Sequence, residues 1–228
     1  MNANGFTVVF DLDGTLADTA PDLVATLNHV LASAGHAPLS EAHARPKVGA
    51  GARALLAEGL KAVGAPSDDT AIDPLFHRFL DHYEQNIAHH TRLYPGAVEA
   101  MDRLSSGGFR LAVCTNKLQR HSKRLLQALA IDHRFGAICG RDSFAYFKPD
   151  PRHFSMTVTQ SGGAPHRAVM IGDSKTDIDT ARNAKVPVIG VTFGYSDLPI
   201  EELGPDRVIG HFDELYEAVQ ALTGKASA

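Results

Sequence analysis

Residues 8–19 read VVFDLDGTLADT, a β-branched and aromatic run that turns polar at Asp11 and carries a second aspartate at Asp13. The stretch FTVVFDLD has no Gly or Pro inside it and reads as a buried strand. Side chains two apart on a strand share a face, so Asp11 and Asp13 are expected to point the same way while Leu12 turns into packing. Gly14 then lets the backbone turn. Carboxylates this close repel each other unless positive charge stands near them. A turn cluster of Asp, Gly and Thr is the plain alternative, so the rest of the chain has to decide.

Working outward, the same apolar pattern recurs in FRLAVCTN, GAICG, AVMIGD, VPVIGVTFG and DRVIG, most of which end on a polar residue or glycine. Helical periodicity lies between them, in GAVEAMDRLSSGG, HSKRLLQALAI, DIDTARNAKV and FDELYEAVQALTG. Alternation of this kind predicts an α/β fold with a mostly parallel sheet wrapped by helices. From about residue 17 to 92 the rhythm breaks. DTAPDLVATLNHVLASAG predicts a helix with Thr19 as N-cap, Pro21 in the first turn and Gly35 at the stop. GARALLAEGLKAVG and DPLFHRFLDHYEQNIAHH read as further helices, and no strand is expected before LYPGA returns the chain to alternation.

The 228 residues are 44% hydrophobic and 21% charged, with a net charge of 22 − 26 = −4, ordinary for a globular protein and without the basic stripe that nucleic acid requires. No apolar run approaches the ~20 residues of a membrane span, and MNANGFTVVFD lacks the regions of a signal peptide. Cys114 and Cys139 fit no CxxC or disulfide framework and read as buried, reduced thiols. The expectation is a cytoplasmic protein, monomer or homodimer, with no nucleic-acid or membrane partner.

In a parallel sheet ligands gather at the carboxyl ends of the strands. There the first strand presents Asp11 and Asp13. The next presents Thr115 and Asn116, a hydroxyl and an amide suited to a phosphate oxygen. Lys148 stands in a loop before Pro149, and another strand stops at Gly172-Asp173 with Asp177 one helical turn on. Each has a bland reading as a cap or an exposed loop residue; their joint placement does not. Four carboxylates against one lysine make an oxygen-only, strongly negative pocket that favours a hard cation, Mg²⁺ above all. A carboxylate can also attack phosphorus. Asp11 is the candidate nucleophile, Asp13 the acid and base, and Lys148 and Thr115 the groups that hold phosphoryl oxygens.

DLDGTLADT, TNK, KPDP and GDSKTD resemble the four motifs of the haloacid dehalogenase-like hydrolases, in the family's order and over essentially the whole chain. The resemblance implies a Rossmann-like three-layer core over 1–16 and 93–228, with an inserted helical cap over 17–92. It implies Asp11 as nucleophile, Asp13 as acid/base, and Thr115 with Asn116 beside it for phosphate, together with the lysine Lys148. Asp173, the Asp11 carboxylate and the Asp13 backbone carbonyl are the implied Mg²⁺ ligands, with Asp177 one layer behind. VGAGARALL, LYPGA and VTFGYSDLPIEELGPDRVIGHFDEL are similar to the phosphoglycolate phosphatases of that family, although GRDSFAYFKPDP departs from their usual lead-in to the lysine. The expected substrate is therefore a small phosphomonoester, 2-phosphoglycolate first. In the cap, Gly49 and Gly51 offer backbone N–H groups, and Arg45, Lys47 or Arg53 offer charge, for its carboxylate. A sugar-phosphate mutase, a pyrophosphatase or nucleotidase, and a non-catalytic binding protein on this scaffold are the alternatives.

Overall fold

Thr7–Phe10 (β1) is buried on both faces, as a central parallel strand must be. The computed structural model describes residues 5–224. After β1 come β2 (Ala17–Asp18), α1 (Ala20–Ser33), α2 (Glu41–Ala44), α3 (Ala52–Ala62), α4 (Asp69–Gln85) and β3 (Arg92–Leu93). Then follow α5 (Ala97–Ser106), β4 (Arg110–Cys114), α6 (Gln119–Ala128), β5 (Ala137–Cys139), α7 (Pro151–Gln160) and β6 (Ala168–Gly172). The chain closes with α8 (Lys175–Ala184), β7 (Val188–Val191), β8 (Arg207–Ile209) and α9 (Leu215–Thr223).

Six strands form one sheet in the order β5-β4-β1-β6-β7-β8, and every neighbouring pair is parallel. The expected strand stretches thus supply the whole sheet. Alternation along β1 divides the core. Val8 and Phe10 pack with Met101 and Leu104 of α5 and with Leu215 and Val219 of α9. Val9 faces the other way, onto Phe154 and Val158 of α7 and Ile178 and Ala181 of α8. The sheet is therefore the middle of three layers.

Register sets the functional edge. Phe10 is level with Val113 of β4 and Ile171 of β6. Asp11 follows Phe10 directly, and Thr115 and Asp173 lie two residues beyond their level. All three therefore emerge at the carboxyl end of neighbouring strands.

The segment between β1 and α5 is helical, and α1, α3 and α4 bury Leu27, Leu31, Leu55, Leu56, Leu60, Phe79 and Tyr83 in the same apolar cluster as one face of the sheet. Two details correct the sequence reading. Thr19 does not cap α1 through its side chain; its hydroxyl donates to Asp13 Oδ1 at 2.7 Å, and the Thr19 and Ala20 N–H groups donate to the Tyr195 hydroxyl at 2.6 and 2.9 Å. A partner from a distant loop has displaced the local cap. The segment also begins and ends in strand: Ala17 and Asp18 pair antiparallel with Leu93 and Arg92. Two residues per strand are too few for a period to register. Pro21 does stand in the first turn of α1, and Gly35 follows its end with φ +82°.

Candidate active site

Asp11 is buried, and its Oδ1 stands 2.9 Å from Lys148 Nζ while making no hydrogen bond of its own. The Lys148 ammonium donates to Asp177 Oδ1 at 2.6 Å. Asp177 is the third residue of α8 and closes a capping box with Ser174, whose N–H and hydroxyl donate to Asp177 Oδ2 at 3.1 and 2.6 Å. One carboxylate thus anchors both the helix start and the lysine. Asn116 Nδ2 donates to the Lys148 carbonyl at 3.0 Å, tying the lysine loop to the end of β4. Thr115 is buried, and its Oγ1 accepts from Lys117 N–H at 3.2 Å.

Asp173 accepts from the Thr15 hydroxyl and from Tyr195 N–H, both at 2.8 Å. Gly14, with φ +81°, lies so close that a Cβ there would come within 2.5 Å of Asp173 Oδ2. Oxygens of Asp11, Asp173 and Asp177 all fall within 4.8 Å of one another. This crowding appears in their protonation. Burial, then Asp177 and Asp11, push the Asp173 carboxyl up to about 8. Burial pushes Asp11 up to about 6, with Lys148 pulling it down and Asp177 adding to the rise. Burial would depress Lys148, but Asp11 and Asp177 outweigh it and hold the ammonium above its ordinary range. The cluster is short of positive charge, its donors are all oxygens, and one buried Asp11 oxygen lacks a hydrogen bond: this set fits a hard divalent cation.

The Asp13 carboxylate goes elsewhere. Lys117 Nζ lies 2.9 and 3.3 Å from its two oxygens, and Thr19 donates to Oδ1. Lys117 is itself only 6% exposed and stands 4.3 Å from the centre of the Tyr83 ring. The charge beside Asp11 and Asp13 is thus a lysine for each, with Asp173 and Asp177 behind Asp11.

A cavity of about 530 Å³ opens over this edge. Asp11, Asp13, Thr115, Asn116 and Lys117 line one side; Gly49, Gly51, Arg53, Phe76 and Tyr83 line the other, from the helical segment. Lys148, Asp173 and Asp177 lie outside its wall. The Arg53 guanidinium is held by Asp69 and Asp73, each at 2.7 Å, and lies over the Phe76 ring. Arg45 and Lys47 are turned away from the cavity, onto Asp18 at 2.6 Å and Asp197 at 3.1 Å.

Sequence reasoning gave no role to Lys117 or Tyr195. The lysine directly follows Thr115-Asn116, so its position at the sheet edge was readable, but its ion pair with a residue 104 positions away was not. Tyr195 had no signal at all. Its N–H holds Asp173, and its hydroxyl accepts from the start of α1 and donates to Asp18 Oδ1 at 2.7 Å.

A family model described as haloacid dehalogenase-like hydrolase matches residues 8–191. The chain belongs to the haloacid dehalogenase-like hydrolases. It is 48% identical to a phosphoglycolate phosphatase of Mesorhizobium japonicum over 208 residues, covering 91% of this chain and 92% of that one. With the phosphoglycolate phosphatase of Agrobacterium fabrum it shares 47% over 223 residues, 96% of this chain and 95% of the relative. The crystal structure of a predicted phosphoglycolate phosphatase from Haemophilus somnus superposes with a TM-score of 0.87 at 30% identity, covering 96% of this chain and all of that one (100%).

Proposed function

We propose that the chain is a Mg²⁺-dependent phosphatase that hydrolyses a small phosphomonoester, 2-phosphoglycolate, through an aspartyl-phosphate on Asp11. The observation that carries the reading is the Asp11 carboxylate: buried, ion-paired with Lys148 and lining the cavity. The names of relatives 47–48% identical over nine-tenths of both chains support the substrate.

Asp11 attacks phosphorus in line, forming an Asp11–O–P bond as the ester P–O bond breaks. Asp13 gives its proton to the departing oxygen, then takes one from the water that attacks the aspartyl-phosphate, breaking the Asp11–O–P bond and freeing inorganic phosphate. Lys148, Thr115 and backbone N–H groups bear the charge on the equatorial oxygens, with Asn116 keeping the lysine loop in place. Asp177 holds the Lys148 ammonium. Asp11, Asp173 and the Asp13 backbone carbonyl would hold the Mg²⁺. When bound, the ion supplies positive charge that lets the carboxylates and the phosphoryl group approach each other.

Residues 17–92 act as a cap over a core of 1–16 and 93–228, with Gly49, Gly51 and Arg53 forming the far wall of the substrate cavity. No helix among the described residues is long and apolar enough to cross a membrane. Cys114 and Cys139 are buried free thiols, which suits the reducing cytoplasm. The test is a screen of small phosphomonoesters with Mg²⁺, wild type beside Asp11→Asn. The expected result is phosphate release from 2-phosphoglycolate above other esters, lost on chelation and in the variant. Isomerisation of β-glucose 1-phosphate without free phosphate would overturn it in favour of a mutase.

A further inference from the structure

We infer that Lys117, with the Tyr83 hydroxyl, forms a carboxylate subsite that selects phosphate esters bearing a carboxylate on the carbon next to the ester oxygen. The inference rests on the phosphatase reading above and names the groups that set its specificity.

The other cations of the cavity are committed away from a substrate carboxylate, whereas the partner of Lys117 is Asp13, at the leaving oxygen. Arg53 is bound by Asp69 and Asp73. The Arg141 guanidinium lies 3.7 Å from the centre of the Phe147 ring, at the exposed rim. Lys148 is held by Asp11 and Asp177. His121 is pushed down to about 4 by burial and by Lys117 and Arg120, so it is neutral at ordinary pH. Lys117 is a nearly buried ammonium in the cavity wall, 2.9 Å from the carboxylate assigned to meet the leaving oxygen. In an ester of a 2-hydroxy acid the carboxylate carbon lies two bonds from that oxygen. A substrate whose leaving oxygen reaches Asp13 therefore brings its carboxylate to the side chain next door.

One further atom points the same way. The Tyr83 hydroxyl is buried, 1% exposed as a residue, and has no hydrogen-bond partner. Tyr83 lines the cavity beside Lys117. Burial pushes the Tyr83 phenol up to about 12, so it keeps its proton. Lys117 donates to Asp13, but an ammonium carries three N–H donors; with the unpartnered Tyr83 O–H it complements a carboxylate. A buried polar group left unpaired is costly, so an ester lacking the carboxylate is penalised by the site as well as deprived of an attraction.

The test compares kcat/KM for 2-phosphoglycolate with that for 2-hydroxyethyl phosphate, its uncharged counterpart at that carbon. Wild type should favour 2-phosphoglycolate. Lys117→Met should reduce the ratio roughly 10- to 150-fold and Tyr83→Phe roughly 2- to 10-fold, the range for hydrogen bonds to charged and neutral groups. Lys117→Arg should keep most of the preference. Equal losses on both esters in Lys117→Met would overturn the inference and leave Lys117 as a support for Asp13 only. Wild type that hydrolyses both esters alike would also overturn it, with the phosphatase reading intact; phosphate release from neither would remove both. Should Lys117→Met fail to fold, product inhibition of wild type decides: glycolate should bind about tenfold or more tightly than ethylene glycol, and equal inhibition would sink the subsite.

Discussion

Asp173 and Asp11 sit where burial and mutual repulsion favour their protonated forms, at about 8 and about 6. Both values lie above those of the unfolded chain, so at intermediate pH the folded state binds more protons and stability falls as pH rises. His121 and His153 act oppositely. Burial pushes both down to about 4, so folding loses stability as pH falls below the ordinary histidine range. Between about pH 7.5 and 9 the unfolded histidines hold few protons and Asp173 dominates. The metal-free protein should lose stability across that window at up to ~1.4 kcal/mol per pH unit for one proton. Mg²⁺ should restore it, more at about pH 9 than at about 7.5; chemical denaturation with and without the ion checks both. Asp11, Asp13, Lys148 and Asp173 could be read from the sequence because each stands where a buried strand ends or in a loop beside that edge. The choice of partner could not. That Asp13 takes Lys117, and that Asp173 takes Tyr195 N–H, depends on contacts between segments far apart in the chain, which periodicity does not carry.

The helices and strands show the same division. The six sheet strands were legible as short apolar runs, and their mostly parallel direction followed from the helices between them. The antiparallel pair β2–β3 was not, being two residues long on each side. Neither was Asp22, which sits in the first turn of α1 and accepts from His90 N–H, Thr91 N–H and the Thr91 hydroxyl at 2.7–3.0 Å. It fastens the start of the helical segment to the approach of β3. Asp22→Ala strands these donors and should cost roughly 3 kcal/mol in chemical unfolding, with Asp22→Asn costing less. The loop after β7 is equally exacting. A Cβ at Gly194 would collide with the Asp173 side chain. Gly194→Ala should therefore weaken Mg²⁺ roughly 10- to 100-fold, measured by calorimetric titration of the ion.

At the scale of the molecule, the helical segment and the sheet share one apolar cluster, and charged pairs bridge them. Glu84 of α4 meets Arg120 at 3.1 Å and Arg124 at 3.4 Å on α6, and Lys47 meets Asp197. Such pairs are partly exposed and add little to stability: Glu84→Gln should shift unfolding by less than ~1 kcal/mol. Under the proposed function, one carboxylate of the cavity wall becomes esterified. That step can be trapped. Wild type mixed with 2-phosphoglycolate and Mg²⁺, quenched in acid within a turnover and reduced with borohydride, should yield homoserine at position 11 by peptide mass spectrometry, and none without substrate. Phosphate release with position 11 left as aspartate, or with the reduced residue elsewhere, would contradict the account.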